Sequence, residues 1–174
     1  MSGPIVIMGV AGCGKSSLAV ALSKKLGWHL IEGDDFHPPE NVQKMRSGVA
    51  LNDEDRAGWL AVLADQLVRY GSQTVLTCSA LKKAYRDRLR LSGPALRFVH
   101  LDLTLEQSLA RVAQRSDHYF QPSLVDSQFQ ALEKPVSEAG VLTLDGMQSI
   151  DGLLARGAPR TVAVAAIGPA GLSR

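Results

Sequence analysis

The chain has 174 residues, 45% of them hydrophobic and 21% charged, with 19 Lys+Arg against 17 Asp+Glu for a net charge of +2. That length predicts one domain with a sizeable core, and the near-neutral balance excludes a protein that works by an electrostatic grip on nucleic acid. Two cysteines exclude a disulfide scaffold and most structural zinc modules. No apolar run reaches the roughly 18 residues that span a bilayer, and no secretory leader opens the chain, so a cytoplasmic location without membrane contact is expected.

In chain order, Ile5–Met8 reads as a strand and Lys15–Leu26 as a helix with Leu18, Ala21, Leu22 and Leu26 on one face, stopped by Gly27. His29–Glu32 is a second strand. Pro38 and Pro39 open a helix closed by Gly48, and Asn52 followed by three acids starts another, with Trp59, Leu63, Leu67 and Tyr70 as its buried stripe. Thr74–Cys78 is a third strand, and Ser79 is expected to cap a helix carrying Leu81, Tyr85 and Leu89. Arg97–Asp102 is a fourth strand, and Thr104 with Gln107 forms a capping box. Residues 114–122 read as a loop, and Ser123 with Asp126 is expected to cap the next helix. Val141–Leu144 is a fifth strand and Met147–Arg156 a last short helix.

Residues 1–157 are neutral and form the expected domain, while the tail 158–174 supplies the net charge through Arg160 and Arg174. Within the tail, Thr161–Ile167 is either an added strand or disordered. Alternating apolar strands and helices predict an α/β fold, a five-stranded parallel sheet covered on both faces. The ligand site of such a sheet lies at the carboxyl ends of its strands.

The first of those ends carries Gly9-Val10-Ala11-Gly12-Cys13-Gly14-Lys15-Ser16, followed by Ser17, which fits the phosphate-loop pattern G-x-x-x-x-G-K-[ST]. Its glycines let backbone N–H groups turn inward around phosphates, and the following helix points its positive end at them. Lys15 is expected to reach the β- and γ-phosphates and Ser16 to ligate Mg²⁺. Cys13 is read as a small residue whose backbone contributes, with a reactive thiol as the alternative.

No Asn/Thr-Lys-x-Asp base-reading motif of regulatory GTPases is present, and Asp55-Arg-Ala-Gly58 lies inside a predicted helix. The third strand ends Thr77-Cys78-Ser79 without the carboxylate of motor ATPases. A small kinase with a closing lid remains. The second strand ends Glu32-Gly33-Asp34, so Glu32 is a candidate to hold Mg²⁺ through water, and Asp34 a candidate to orient and deprotonate an acceptor hydroxyl. A solvated acidic turn is the alternative.

The chain resembles the gluconokinases of the shikimate-kinase-like P-loop group. The resemblance covers about residues 5–156 and rests on the phosphate loop; Glu32-Gly-Asp through His37-Pro38; Asn41-Val-Gln-Lys-Met45; Leu51-Asn-Asp-Glu-Asp-Arg56 with Trp59-Leu60; Cys78-Ser-Ala-Leu-Lys-Lys-Ala-Tyr-Arg86-Asp87; and His118-Tyr119-Phe120 with Gln128-Phe129 and Leu132-Glu133-Lys134-Pro135. It implies ATP- and Mg²⁺-dependent phosphorylation of D-gluconate at its 6-hydroxyl, and, because members are often dimeric, a homodimer. A kinase of shikimate or another small acceptor, or a nucleotide-binding regulator without turnover, are the rivals.

Under this resemblance the gluconate pocket draws on Asp34, His37, Arg56, Ser79, Lys82, Arg86 and His118. Arg56 and the Lys82/Arg86 pair are candidates for the carboxylate, with a surface partnership to Asp53 or Glu54 as the alternative for Arg56. His37 either bonds gluconate or Asp34, or packs neutral under the Pro-Pro turn. The resemblance assigns Arg111 to adenine and Arg115, with a lid at about 114–135, to transferred phosphate charge, against a pair of solvated arginines as the alternative. Asp145-Gly146 falls where the adenine loop is expected. Two departures stand out: Glu32 replaces the shorter Asp common in the family, and the likeness stops after residue 156.

Overall fold

The computed structural model describes residues 3–115 and 121–163. Five parallel strands, β1 (Ile5–Met8), β2 (His29–Glu32), β3 (Thr74–Thr77), β4 (Arg97–Asp102) and β5 (Val141–Asp145), form one sheet in the order β2-β3-β1-β4-β5. The central strand β1 is fully buried along its length, as its apolar run predicts. Helices α1 (Lys15–Leu26), α2 (Pro39–Arg46), α3 (Asp53–Tyr70), α4 (Lys83–Arg90), α5 (Leu105–Ala113), α6 (Ser123–Ala131) and α7 (Ile150–Ala163) connect and cover the strands.

Two apolar cores lie against the sheet. One joins Ile5, Ile7 and Val99 to Leu18 and Leu22 of α1 and Leu153 of α7, and the other joins Val6, Met8 and Phe98 to Trp59, Leu63 and Leu67 of α3 and Leu89 of α4. Each such fully buried aliphatic side chain stabilises the fold by about 1.5–3 kcal/mol. The α3 start is built as its sequence dictates: Asn52 accepts from the Asp55 N–H at 2.8 Å, and the Asp55 carboxylate accepts from the Asn52 N–H at 3.0 Å. Thr104 and Gln107 form the same reciprocal cap on α5.

Three local expectations are corrected. Ser79 does not cap α4: the chain first makes a turn in which Ala80 takes a φ of 45°, and the helix begins at Lys83 with Lys82 as its N-cap. Ser123 is already inside α6, because Pro122 at φ −53° and ψ −32° has helical geometry and stands at the N-cap. A 3-10 helix, Gly33–Phe36, follows β2, a stretch to which the sequence assigned no element. The last helix neither starts at Met147 nor stops at Arg156; it spans Ile150–Ala163, so Thr161–Ala163 are helical rather than strand. The expected tail beyond Ala163 lies outside the described residues.

Candidate active site

The carboxyl ends of β1, β2 and β3 open on one cavity of about 740 Å³, within the range of a small-molecule site. Its floor is the phosphate loop. Gly12 and Gly14 adopt φ of 77° and 91°, left-handed values that a side chain resists, and this turns the loop into the start of α1. Gly9, Val10 and Cys13 are buried and do not line the cavity, whereas Ala11, Gly12, Gly14, Lys15 and Ser16 do. Ser17 is exposed on the first turn of α1 and does not line it. Lys15 Nζ donates to the carbonyls of Gly9 at 3.0 Å and Val10 at 3.1 Å, contacts that an incoming phosphate would replace with a stronger charged acceptor.

Ser16 and Glu32, 16 positions apart, meet: the Ser16 hydroxyl donates to Glu32 Oε2 at 3.0 Å, and Thr77 Oγ1 donates to the same oxygen at 2.8 Å. The cross-strand register pairs Glu32 with Thr77, and the Thr77 hydroxyl also accepts from the Gly33 N–H at 3.0 Å. An all-oxygen pair beside a phosphate loop has the chemistry that Mg²⁺ takes. The longer acid is thus accommodated by a hydroxyl from β3. Gly33 is required at this junction, since a Cβ there would lie 2.0 Å from the Thr77 carbonyl oxygen.

The 3-10 helix then presents Asp34, its side chain 73% exposed, to the cavity. His37 lies beside it, stacked on Trp59 with ring centroids 4.1 Å apart. Trp59 is itself anchored by its indole N–H to the Gly33 carbonyl at 2.8 Å. Asn41 Nδ2 donates to the Asp55 carbonyl at 2.9 Å and lies 3.3 Å from His37 Nδ1, so Nδ1 is an acceptor and the neutral ring carries its proton on Nε2, 3.8 Å from Asp34 Oδ1. Burial pushes the His37 pKa down, opposed by the Asp34 charge and reinforced by Arg56. His37 is therefore packed and neutral, but on Trp59 rather than under the Pro-Pro turn, and at 3.8 Å it faces Asp34 without a hydrogen bond.

The depressed pKa has a stability consequence. Below the ordinary histidine value of 6.5, the unfolded chain binds a proton that folded His37 resists, and buried His100 is shifted in the same direction by desolvation. Stability is expected to fall as pH drops from 7 to 5, and His37→Gln to flatten part of that slope in a series of thermal melts. The carboxylates held low by Lys and Arg partners contribute only further down, near their own ordinary range.

Arg56 is 9% exposed and lines the cavity, which removes the surface partnership with Asp53 or Glu54. Its Nη1 donates to the Leu51 carbonyl at 2.6 Å and lies 3.4 Å from the Tyr85 hydroxyl. Tyr85 donates to Asp53, and Lys82 Nζ pairs with that carboxylate at 2.9 Å. Lys82 is thus committed to Asp53 and does not line the cavity, contrary to its expected place. Ser79 does line it, from the turn before α4.

Arg86 is the clearest departure. It is 1% exposed and filled on every side: Nη1 donates to the carbonyls of Ala80 and Leu81 at 2.9 and 3.1 Å, Nη2 to that of Glu133 at 3.0 Å, and Nε and Nη2 to the Glu138 carboxylate at 2.7–3.1 Å. A guanidinium whose N–H groups are spent on protein acceptors has none for a substrate carboxylate. It braces the turn that carries Ser79.

Of the lid pair, Arg115 lines the cavity, whereas Arg111 joins the phosphate loop to the β5–α7 loop through the carbonyls of Gly12 at 3.2 Å and Gly146 at 2.9 Å. That brings Asp145-Gly146 beside the phosphate loop. His118 lies outside the described residues. The Cys78 thiol is fully buried and pushed up to about 12 by desolvation, which keeps it protonated. Among the described residues, no cluster of three or more His, Cys, Asp or Glu suits a metal.

Thr77, Trp59, Asn41, Tyr85 and Gln128 belong to the site and were not expected there. Only cross-strand register reveals Thr77. Trp59 and Tyr85 sit on buried stripes that read as core.

A family model described as "AAA domain" matches residues 5–136. The chain is 43% identical over 153 residues to a gluconokinase of Gluconobacter oxydans, covering 86% of both chains. It is 38% identical over 154 residues to the thermoresistant gluconokinase of Escherichia coli, covering 86% of this chain and 88% of that one. The crystal structure of a gluconokinase from Sinorhizobium meliloti superposes with a TM-score of 0.86 at 38% identity, covering 94% of each chain. With the phosphate loop, the acidic end of β2 and the buried arginine facing one cavity, these matches place the chain in the gluconokinase family of P-loop kinases.

Proposed function

We propose that this chain transfers the γ-phosphoryl group of ATP to the 6-hydroxyl of D-gluconate, giving 6-phospho-D-gluconate and ADP. The observation that carries the reading is a single cavity with Lys15 and Ser16 at one end and Asp34, His37 and buried Arg56 at the other. A sugar acid needs a cation for its carboxylate and hydrogen-bonding groups for its hydroxyls. Arg56 supplies the first from a desolvated position where one ion pair is worth more than at the surface. His37 and Ser79 supply the second.

Asp34 accepts the proton of the attacking hydroxyl and holds that oxygen in line with the γ-phosphorus. Lys15 and Arg115 neutralise the equatorial phosphate oxygens, and Arg111 lies at the adenine end. Ser16 and Glu32 would hold Mg²⁺, Glu32 through water; when bound, the ion would supply positive charge that offsets the negative charge of the β- and γ-phosphates. Covering of the cavity by the segment around α6 keeps water from competing as acceptor. Two buried, unpaired thiols agree with a reducing cytoplasm, and among the described residues no helix is long and apolar enough to cross a membrane. The family resemblance makes a homodimer the expected assembly.

Purified protein with ATP and, in parallel, D-gluconate, L-idonate, shikimate and AMP tests the reading. Turnover is expected with gluconate; turnover with shikimate or AMP and none with gluconate overturns it. In the same assay Arg56→Met is expected to raise KM for gluconate roughly 30-fold or more while KM for ATP stays near that of the parent, because truncating one partner of a buried charge pair costs about 2–5 kcal/mol.

A further inference from the structure

The phosphate loop is held from an unexpected direction. Gln128 of α6 places its Oε1 at 2.7 Å from the Ala11 N–H, accepting a hydrogen bond from the loop itself across 117 positions of sequence. The rest of α6 faces two ways. Val125 and Phe129 pack on Ala11 and Val112, on the nucleotide side. Leu124 packs on Met45 and Leu51, and Gln121 Nε2, in the turn before α6, donates to the Arg46 carbonyl at 2.6 Å, on the α2 side where the acceptor is to bind.

We propose that Gln128 is a positioning residue that fixes the acceptor side of the cavity against the phosphate loop, with α6 as the strut between them. This rests on the functional reading above. The two halves are joined at the base by Ser16, Glu32 and Thr77, and across the mouth by α6. In-line transfer needs the acceptor oxygen within about 3–3.5 Å of phosphorus, and a displacement of about 1 Å costs up to 100-fold in rate. Gln128 touches the loop backbone and does not need to touch gluconate for this. Its loss leaves both substrates their own contacts but loosens the distance between them, and opens the mouth to water.

Gln128→Met keeps the length and packing of the side chain and removes the acceptor oxygen. Its kcat for gluconate phosphorylation is expected to fall about 10-fold with both KM values within about 2-fold, and the fraction of ATP lost to water to rise. Gln128→Glu restores an acceptor for the Ala11 N–H; its transfer-to-hydrolysis ratio is expected to return toward the parent's, with a higher KM for ATP from the added negative charge. Parental kcat and hydrolysis fraction in Gln128→Met, or an equal loss of that ratio in both variants, overturns the proposal. Gluconate turnover by the parent tests the functional reading. The comparison of parent with variants tests the strut, on gluconate or on whichever acceptor the parent uses.

Discussion

Replacing Asp34 by alanine is expected to lower phosphoryl transfer by roughly 10²–10⁴-fold while ATP affinity stays within about 2-fold of the parent. The asymmetry follows from where the carboxylate sits. Asp34 projects from the 3-10 helix into the cavity with its side chain 73% exposed, and the His37 ring beside it is 3.8 Å away, so its removal breaks no side-chain hydrogen bond among the described residues. Nucleotide contacts come from a separate element, the loop between β1 and α1. Initial rates of ADP release at saturating gluconate, together with ATP titration by calorimetry, separate the two effects. Asp34→Asn sharpens the test: it retains a hydrogen-bonding group but cannot take the proton. If either variant transfers at near the parental rate, Asp34 is not the base.

Arg86→Met is expected to cost about 3–5 kcal/mol of folding stability, a fall in Tm of roughly 10 °C or more. Three carbonyls and one carboxylate converge on this guanidinium, and Met offers none of them a donor. Glu138 keeps Arg90, whose Nη2 lies 2.7 Å from Oε1, so its charge is not left wholly uncompensated. The carbonyls of Ala80 and Leu81 fare worse, because they belong to a turn in which Ala80 is held in the left-handed region. Loosening that turn also displaces Ser79, so a rise in KM for gluconate is expected to accompany the loss of stability. Thermal and denaturant melts decide between the two roles this residue has been given: a substrate ligand would raise KM and leave the melt unchanged.

The strands, the phosphate loop and most helix positions were legible because each depends on neighbours in sequence. Apolar runs of four to six residues, the Gly-rich spacing before Lys15 and the Asn52 and Thr104 caps are rules that act within one turn or one strand. Where two local signals competed, the tertiary contact won. Ser79 has the side chain of an N-cap, but the turn it begins is shaped by Arg86 pulling on the next two carbonyls, and the helix starts four residues later.

The candidate site divides along the same line. Gly9 to Ser16, Glu32 and Asp34 stand at ends of strands, where sequence order alone places chemistry. All three cations were candidates for the gluconate carboxylate in sequence, and their fates differ because of the acceptors that folding brings to each. Lys82 is taken by Asp53, 29 positions away, and Arg86 by Glu138, 52 positions away, whereas Arg56 is turned inward by Leu51 and Tyr85 and faces the cavity.

The sequence by itself therefore determined a parallel α/β sheet, a nucleotide cradle at the end of its first strand and an acid at the end of its second, since local backbone geometry and strand order suffice for these. The tertiary structure decided which arginine is available to a substrate, that Thr77 steadies Glu32, and that Gln128 holds the phosphate loop. The physical reason is that a charged or polar side chain takes its function from the acceptors that folding leaves beside it, and those come from elements that sequence distance does not bring into view.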